Sequence, residues 1–265
     1  MNGKNYILST QNLAIGYRKK EGDHIIGKNI SLGLNKGEVV CLMGKNGIGK
    51  STLIRSITGV QENLGGDVFI GHKLLSKFSL SQIAQTISLV LTDKIEPSNL
   101  TVFELVALGR HPYTNWLGTL SEKDEESIIF SLSRTDLLSI KNTKVNELSD
   151  GQMQRVMICR ALAQDTPIII LDEPTAHLDI QHKIETFQLL HSFAHELNKA
   201  ILISTHEIQL SLQIADQLWL MDDQGITTGH ADELIKNGEI NRLFDNPSIH
   251  FDHQSRLFKF INLKK

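Results

Sequence analysis

The sequence predicts an α/β domain: a mostly parallel sheet, preceded by an antiparallel β part and interrupted by a helical insert. Three observations lead there. A short β-branched run at 38–43 (EVVCLM) stops at Gly44 and passes through a glycine-rich stretch into the helix-like LIRSIT, the strand–loop–helix opening of a parallel sheet. From about residue 76 to 165 strand signals fade and helical periodicity takes over. Then 167–171 (PIIIL) and 201–205 (ILIST) return as buried strands, ending in Asp172-Glu173 and His206. Open parallel sheets bind their ligands at that end of the strands.

The remaining elements follow in order. Residues 7–17 (ILSTQNLAIGY) alternate as a half-buried strand, and 66–71 (GDVFIG) form another. In the insert, Val102 to Leu108 is helical and runs into a Gly/Pro turn. Further on, Met153, Met157, Ala161 and Leu162 share one helical face, with Arg155 and Arg160 elsewhere on the wheel. Residues 217–229 read as a hairpin turning at Asp223-Gln224-Gly225. The expected organisation is one domain over 1–265, with a core at about 1–90 and 166–230, the insert at about 91–165 and a tail at about 231–265.

Composition narrows the function classes. With 265 residues and 40% apolar content the chain buries a sizeable core. Its 27 basic and 30 acidic residues give a net charge of -3, so no basic excess points to a nucleic-acid partner. Cys41 and Cys159 lie far apart and form neither a disulfide framework nor a metal-ligand spacing, which points to a reducing compartment. Met1 to Tyr6 lack the apolar stretch of a signal peptide. Nowhere do about 18 apolar residues run together, so any membrane connection is expected to go through a partner.

Three motifs carry chemistry. Gly44-Lys45-Asn46-Gly47-Ile48-Gly49-Lys50-Ser51 fits G-x-x-x-x-G-K-[ST], with a strand before it and a helix after it, and these residues with Thr52 are the nucleotide-binding candidates. Its glycines let backbone N–H groups turn inward around phosphate oxygens, and the helix N-terminus adds partial positive charge. Lys50 is placed to reach the β- and γ-phosphates of ATP, and the Ser51 hydroxyl to ligate Mg²⁺. The second motif is the acidic pair. Asp172 suits the Mg²⁺ site, and Glu173 suits polarising an attacking water. Third, Leu148-Ser149-Asp150-Gly151-Gln152 offers a hydroxyl, a glycine N–H and a helix N-terminus as a second anion site, while Ser149 or Asp150 would equally serve as a helix N-cap.

These motifs, in this order, resemble the ABC ATPases, whose L-S-G-G-Q signature precedes the strand with the acidic pair. The resemblance implies a P-loop NTPase core and a homodimer. In it, Ser149, Asp150, Gly151 and Gln152 of one chain face the γ-phosphate bound by the other. Asp150 departs from the pattern, replacing the first glycine. The resemblance further implies that Tyr17 stacks on adenine, that Ala176-His177-Leu178-Asp179 crosses the dimer interface, and that His206 contacts the γ-phosphate. One expected glutamine is missing: Thr92 occupies its position, followed by Asp93, on a loop that would couple the core to the insert.

Residues 100–118 (LTVFELVALGRHPYTNWLG) look like the corresponding stretch in ATPases of importers for iron–siderophore complexes, haem and cobalamin. The expectation is an ATP-hydrolysing importer subunit, peripheral on the cytoplasmic face of the inner membrane. It would work with multispanning permease subunits and, indirectly, a substrate-binding protein. The alternative is a soluble ABC ATPase acting on a nucleic-acid or protein assembly, which would usually bring tandem cassettes or a basic stripe. His191 and His195, four apart on a helix, offer no third ligand and read as a solvated face; His250 and His253 read the same way.

Overall fold

The computed structural model describes residues 6–20, 22–91, 98–243, 249–252 and 255–260. The chain opens with β1 (Leu8–Tyr17), β2 (His24–Ile30) and β3 (Gly33–Leu34), then enters β4 (Val39–Gly44) and α1 (Lys50–Ile57). β5 (Gly65–Ile70), β6 (Lys73–Leu74), α2 (Leu80–Ala84) and β7 (Ile87–Val90) follow. Three helices come next: α3 (Val102–Ala107), α4 (Glu122–Arg134) and α5 (Asp150–Ala163). The chain then returns to strands through β8 (Ile168–Asp172), α6 (Ile180–Leu197), β9 (Ala200–Ser204), α7 (Ile208–Ile214), β10 (Gln217–Asp222) and β11 (Gly225–Gly229). α8 (Ala231–Lys236) and a hairpin of β12 (Ile249–Asp252) and β13 (Leu257–Phe260) lie in the tail.

The strands build two main sheets. One is antiparallel in the order β2-β1-β5-β6, with β3 also paired to β1. The other has the order β11-β10-β4-β9-β8-β7, parallel throughout except for β11 at its edge. The hairpin turns where the sequence places it, with Asp222 opposite Gly225.

Period-two alternation sends neighbouring side chains of each central strand into different cores. Val39, Cys41 and Met43 join the helical side, while Val40 and Leu42 face the antiparallel sheet across α1. Ile169 and Leu171 divide from Ile168 and Ile170 in the same way, as do Ile201 and Ile203 from Leu202. Both faces are covered, which is why these strands read as continuous apolar runs. Cys41 and Cys159 are buried in the helical-side core. Desolvation pushes each thiol up to about 12, so neither is a nucleophile at neutral pH.

The helix carrying the third motif differs from its expected one-faced form. In α5, Val156 to Cys159 and Ala161 to Ala163 are all buried, whereas Met153 is only partly so. The reason is position: α3 and α4 pack on one side of α5 and the end of the parallel sheet on the other. Arg155 and Arg160 therefore do not mark a plain solvent face. Arg155 pairs with Glu185, and Arg160 is part-buried, with its pKa lowered by desolvation.

The insert is pinned to α5 by the stretch that runs from α3 through the 3-10 turn Leu108–Tyr113. A Cβ on Gly109 would sit 2.4 Å from the carbonyl oxygen of Arg160, so only glycine lets the two backbones approach. Arg110, 4% exposed, bonds Asp124 at 2.8 Å and the carbonyl of Ala163 at 2.8 Å. Its guanidinium also lies 4.1 Å from the Tyr113 ring centroid. Thr101 caps α3 in a reciprocal box with Glu104.

Candidate active site

Because β4, β8 and β9 are neighbours and parallel, their C-terminal ends lie side by side. The acidic pair and His206 thus meet the phosphate loop, which lies more than a hundred residues earlier in the chain. The loop from Gly44 curls around the amine of Lys50, which donates to the carbonyls of Gly44 at 2.9 Å and Lys45 at 3.3 Å. Gly49 caps α1 at φ 115, and a Cβ there would lie 2.3 Å from Ile26, so the turn requires glycine. Gly47, at φ 78, faces open space. The N–H groups of the first turn, Lys50, Ser51 and Thr52 among them, have no partner earlier in α1 and form an anion-binding end.

Glu173 sits between the lysine and the histidine. Its Oε1 lies 3.6 Å from the Lys50 amine, and its Oε2 accepts from Nδ1 of His206 at 2.7 Å. Its backbone takes φ 50, rare for a residue with a side chain, and is held there by an N–H bond of 2.9 Å to the Ser204 carbonyl. His206 is about half exposed, and its Nε2 lies 3.5 Å from Glu207, which in turn takes the Lys183 amine at 2.5 Å. The result is a chain of polar contacts, Lys50–Glu173–His206–Glu207–Lys183, at the strand ends.

Donor chemistry suits a nucleotide-borne cation. Ser51 is exposed on the first turn of α1, and Asp172, 5% exposed, ends β8 beneath that helix. Both offer hard oxygen. Among the described residues no group of three or more His, Cys, Asp or Glu could hold a metal. A divalent ion here would therefore draw its other ligands from phosphate and water, which is how Mg²⁺ is held in nucleotide sites.

A family model described as ABC transporter matches residues 27–176, a span that holds the phosphate loop, the signature turn and the acidic pair. The chain belongs to the ABC transporter ATPases. It is 37% identical over 257 residues to an uncharacterised ABC transporter ATP-binding protein of Methanocaldococcus jannaschii, covering 97% of this chain and 87% of that one. A probable siderophore transport system ATP-binding protein of Bacillus subtilis is 35% identical, with 89% and 85% covered. Among solved structures, an ABC transporter described as of metal-chelate type, in an inward-facing conformation, superposes at TM-score 0.80 with 26% identity, covering 98% and 99%. As a member of this family the chain is an ATPase with an α/β nucleotide-binding fold.

In this ABC ATPase Tyr17 is not a core tyrosine. It is 42% exposed, and its hydroxyl is 3.2 Å from Thr52 Oγ1 on the phosphate-loop helix. A bulge places it there: the β1–β2 register shifts at Gly16, where a Cβ would lie 2.1 Å from the His24 carbonyl oxygen. Ser149 caps α5, accepting from the Gln152 N–H while Gln152 reaches back to the Ser149 N–H, and Asp150 is the first helical residue. The capping geometry thus accounts for Ser149 and Gln152 within one chain. It also gives Asp150 a helix N-terminus that favours its charge. Asp179 caps α6.

Thr92 and Asp93 lie outside the described residues, as does His253; of His250 only the backbone is described. His191 and His195 have ring centroids 4.2 Å apart, and His195 lies 3.3 Å from Asp216. Sequence reasoning missed Lys183, Glu207 and Leu243. The first two extend the chain of polar contacts beyond His206. Leu243, from the 3-10 turn Glu239–Leu243, lines a cavity of about 300 Å³ with Met43, Gly44, Asn46 and His206. No local pattern marks these three; only the adjacency of β4, β9 and the tail brings them together.

Proposed function

We propose that this ABC ATPase energises import of an iron chelate through a separate multispanning permease, on the cytoplasmic face of the cell membrane, as a pair of identical chains. The observation that carries the reading is the likeness to siderophore-system ATPases along nearly the whole chain, joined by the 100–118 stretch. The dimeric form of a bacterial ABC cassette, to which this chain is similar, supports pairing. In a pair, Ser149, Gly151 and Gln152 of each chain cover the ATP held by the other, with the Asp179 turn at the seam. The cargo itself would meet the permease and a binding protein, and this chain only indirectly.

The roles follow from the chemistry of the groups. Tyr17 offers a face for adenine. The 44–52 loop amides and Lys50 hold the phosphates. Mg²⁺, held by Ser51 with Asp172 behind it, would neutralise phosphate charge. Glu173 orients water and accepts its proton as that water attacks the γ-phosphorus. His206 donates its Nδ1 N–H to Glu173 and presents the other edge of its ring toward the γ-phosphate. Lys50→Ala is expected to weaken ATP binding by about 10–100-fold, the usual loss for a hydrogen bond to a charged group. Equilibrium binding of a fluorescent ATP analogue measures this; unchanged affinity would remove the phosphate loop from the reading.

The import reading is tested in proteoliposomes holding the ATPase with its permease and binding protein. ATP-dependent uptake of a ferric siderophore is expected, and uptake of cobalamin alone would redirect the cargo. In the same system, Thr92→Ala with Asp93→Ala is expected to keep ATP binding but lose most permease-stimulated hydrolysis and uptake, whereas Thr92→Gln is tolerated. Normal uptake by the double variant would move the coupling role elsewhere in the insert.

A further inference from the structure

The first turns of α5 and α6 are joined by a contact that involves a residue outside every motif named so far. Asp179 caps α6 twice: one carboxylate oxygen accepts the backbone N–H of His182 at 3.0 Å, and the other accepts from its imidazole Nδ1 at 2.7 Å. A carboxylate only accepts, so Nδ1 carries the proton; this bond holds the ring, and the N–H bond holds the backbone beneath it. The ring lies against Gly151. A Cβ on that glycine would sit 2.9 Å from His182 Cδ2 and 3.2 Å from Cγ and Nε2. One turn further along, Arg155 of α5 pairs with Glu185 of α6, and Gln181 donates to Glu185 at 2.9 Å. The segment between Glu173 and Asp179 is itself tightly turned, with bonds from Ala176 N–H to the Glu173 carbonyl at 3.1 Å and from Leu178 N–H to the Thr175 carbonyl at 3.3 Å. Thr175 is fully buried and Leu178 nearly so.

We infer that His182 is a positioning residue: anchored by Asp179, its ring sets the place of the signature turn at Gly151. The inference rests on the reading in which that turn covers the partner's ATP. The consequence is a short mechanical path within one chain. It runs from the carboxylate that serves this chain's ATP, through the Asp179 cap and the imidazole, to the turn that closes over the other ATP. The ring cannot swing aside while its Nδ1 bond to Asp179 persists, so movement of the cap is passed to Gly151 by contact.

The test uses the full-length chain carrying Glu173→Gln, with ATP-driven dimer formation followed by analytical ultracentrifugation. His182→Ala is expected to raise the ATP concentration needed for half-dimerisation by about tenfold, the effect of one lost hydrogen bond with its contact. His182→Asn, which keeps a donor for Asp179, is expected to recover most of that loss. Binding of a fluorescent ATP analogue to the monomer stays unchanged in both. With Glu173 restored, His182→Ala lowers kcat while KM moves little. A second pair of variants reads the contact directly. Gly151→Ala is expected to lower the melting temperature although alanine favours helices, and adding His182→Ala to restore it. Dimerisation of His182→Ala at the parent's ATP concentration would overturn the inference, as would an equal loss of monomer nucleotide binding, which marks general damage. A parent that binds ATP yet stays monomeric sinks the paired-chain reading, and the inference with it.

Discussion

Glu173→Gln is expected to keep ATP bound and to lose turnover by about 10²–10⁴-fold, the range for removing a general base. Glutamine has the same shape, so the bond that His206 makes at 2.7 Å survives with the amide oxygen as acceptor. The backbone at φ 50 is fixed by the Ser204 carbonyl and by the turn that follows, not by the carboxylate, so the fold is unaffected. What disappears is the only step the amide cannot perform, acceptance of the water's proton. Lys50, which lies 3.6 Å from Oε1, also loses a competing anion, and its charge then falls wholly on the phosphates. ATP is therefore retained, and the unhydrolysed nucleotide holds two chains together. Phosphate release gives the rate, and size-exclusion chromatography with ATP gives the dimer. Normal hydrolysis would take the role from Glu173.

Arg110→Ala is expected to destabilise the chain by about 3–5 kcal/mol, because it strands a buried carboxylate. Arg110 and Asp124 are 4% and 3% exposed. Burial alone would raise the Asp124 carboxyl, but donors from the Ser121 side chain and backbone and from Arg110 outweigh it and hold the group below its usual value. A depressed carboxylate contributes stability that is fully present above its unfolded value of about 3.9 and is lost as pH falls through the folded value. The guanidinium also satisfies the Ala163 carbonyl, which the alanine variant leaves without that partner. Urea unfolding of the isolated chain measures the loss. Replacing both partners with apolar residues of similar volume, Arg110→Met with Asp124→Leu, is expected to recover most of it, since the desolvation of the two charges is removed together. A single variant as stable as the parent would show that the pair is not effectively buried.

These two residues differ in how far the sequence reveals them. Glu173 ends an apolar strand beside a second acid, a pattern readable over a handful of positions. Arg110 sits in a stretch that is readable as a family likeness. Its physical reason, a glycine for close backbone approach and an arginine neutralising an acid on another helix, depends on Asp124, Arg160 and Ala163, all on other helices. Likewise Met153 and Met157 suggest a one-faced helix, whereas α5 is enclosed from Val156 onward because helices and sheet both pack on it. Burial from two sides leaves no polar stripe to read.

The sequence by itself determined the α/β architecture and displayed the G-x-x-x-x-G-K-S pattern at 44–51, the acidic pair and a histidine directly after a strand. Each is local: period-two runs, glycines at turns that require φ above zero, and polar residues directly after strands. Tertiary structure alone decided that β4, β9 and β8 lie side by side, which sets Glu173 between Lys50 and His206 at 3.6 Å and 2.7 Å. It also decided that Asp179 and His182 bear on Gly151, and that Lys183, Glu207 and Leu243 border the site. The physical reason is range. Backbone conformation and side-chain periodicity act between near neighbours in the chain. Contacts between side chains on different strands and helices exist only once the two cores have formed and fixed the spacing of those elements.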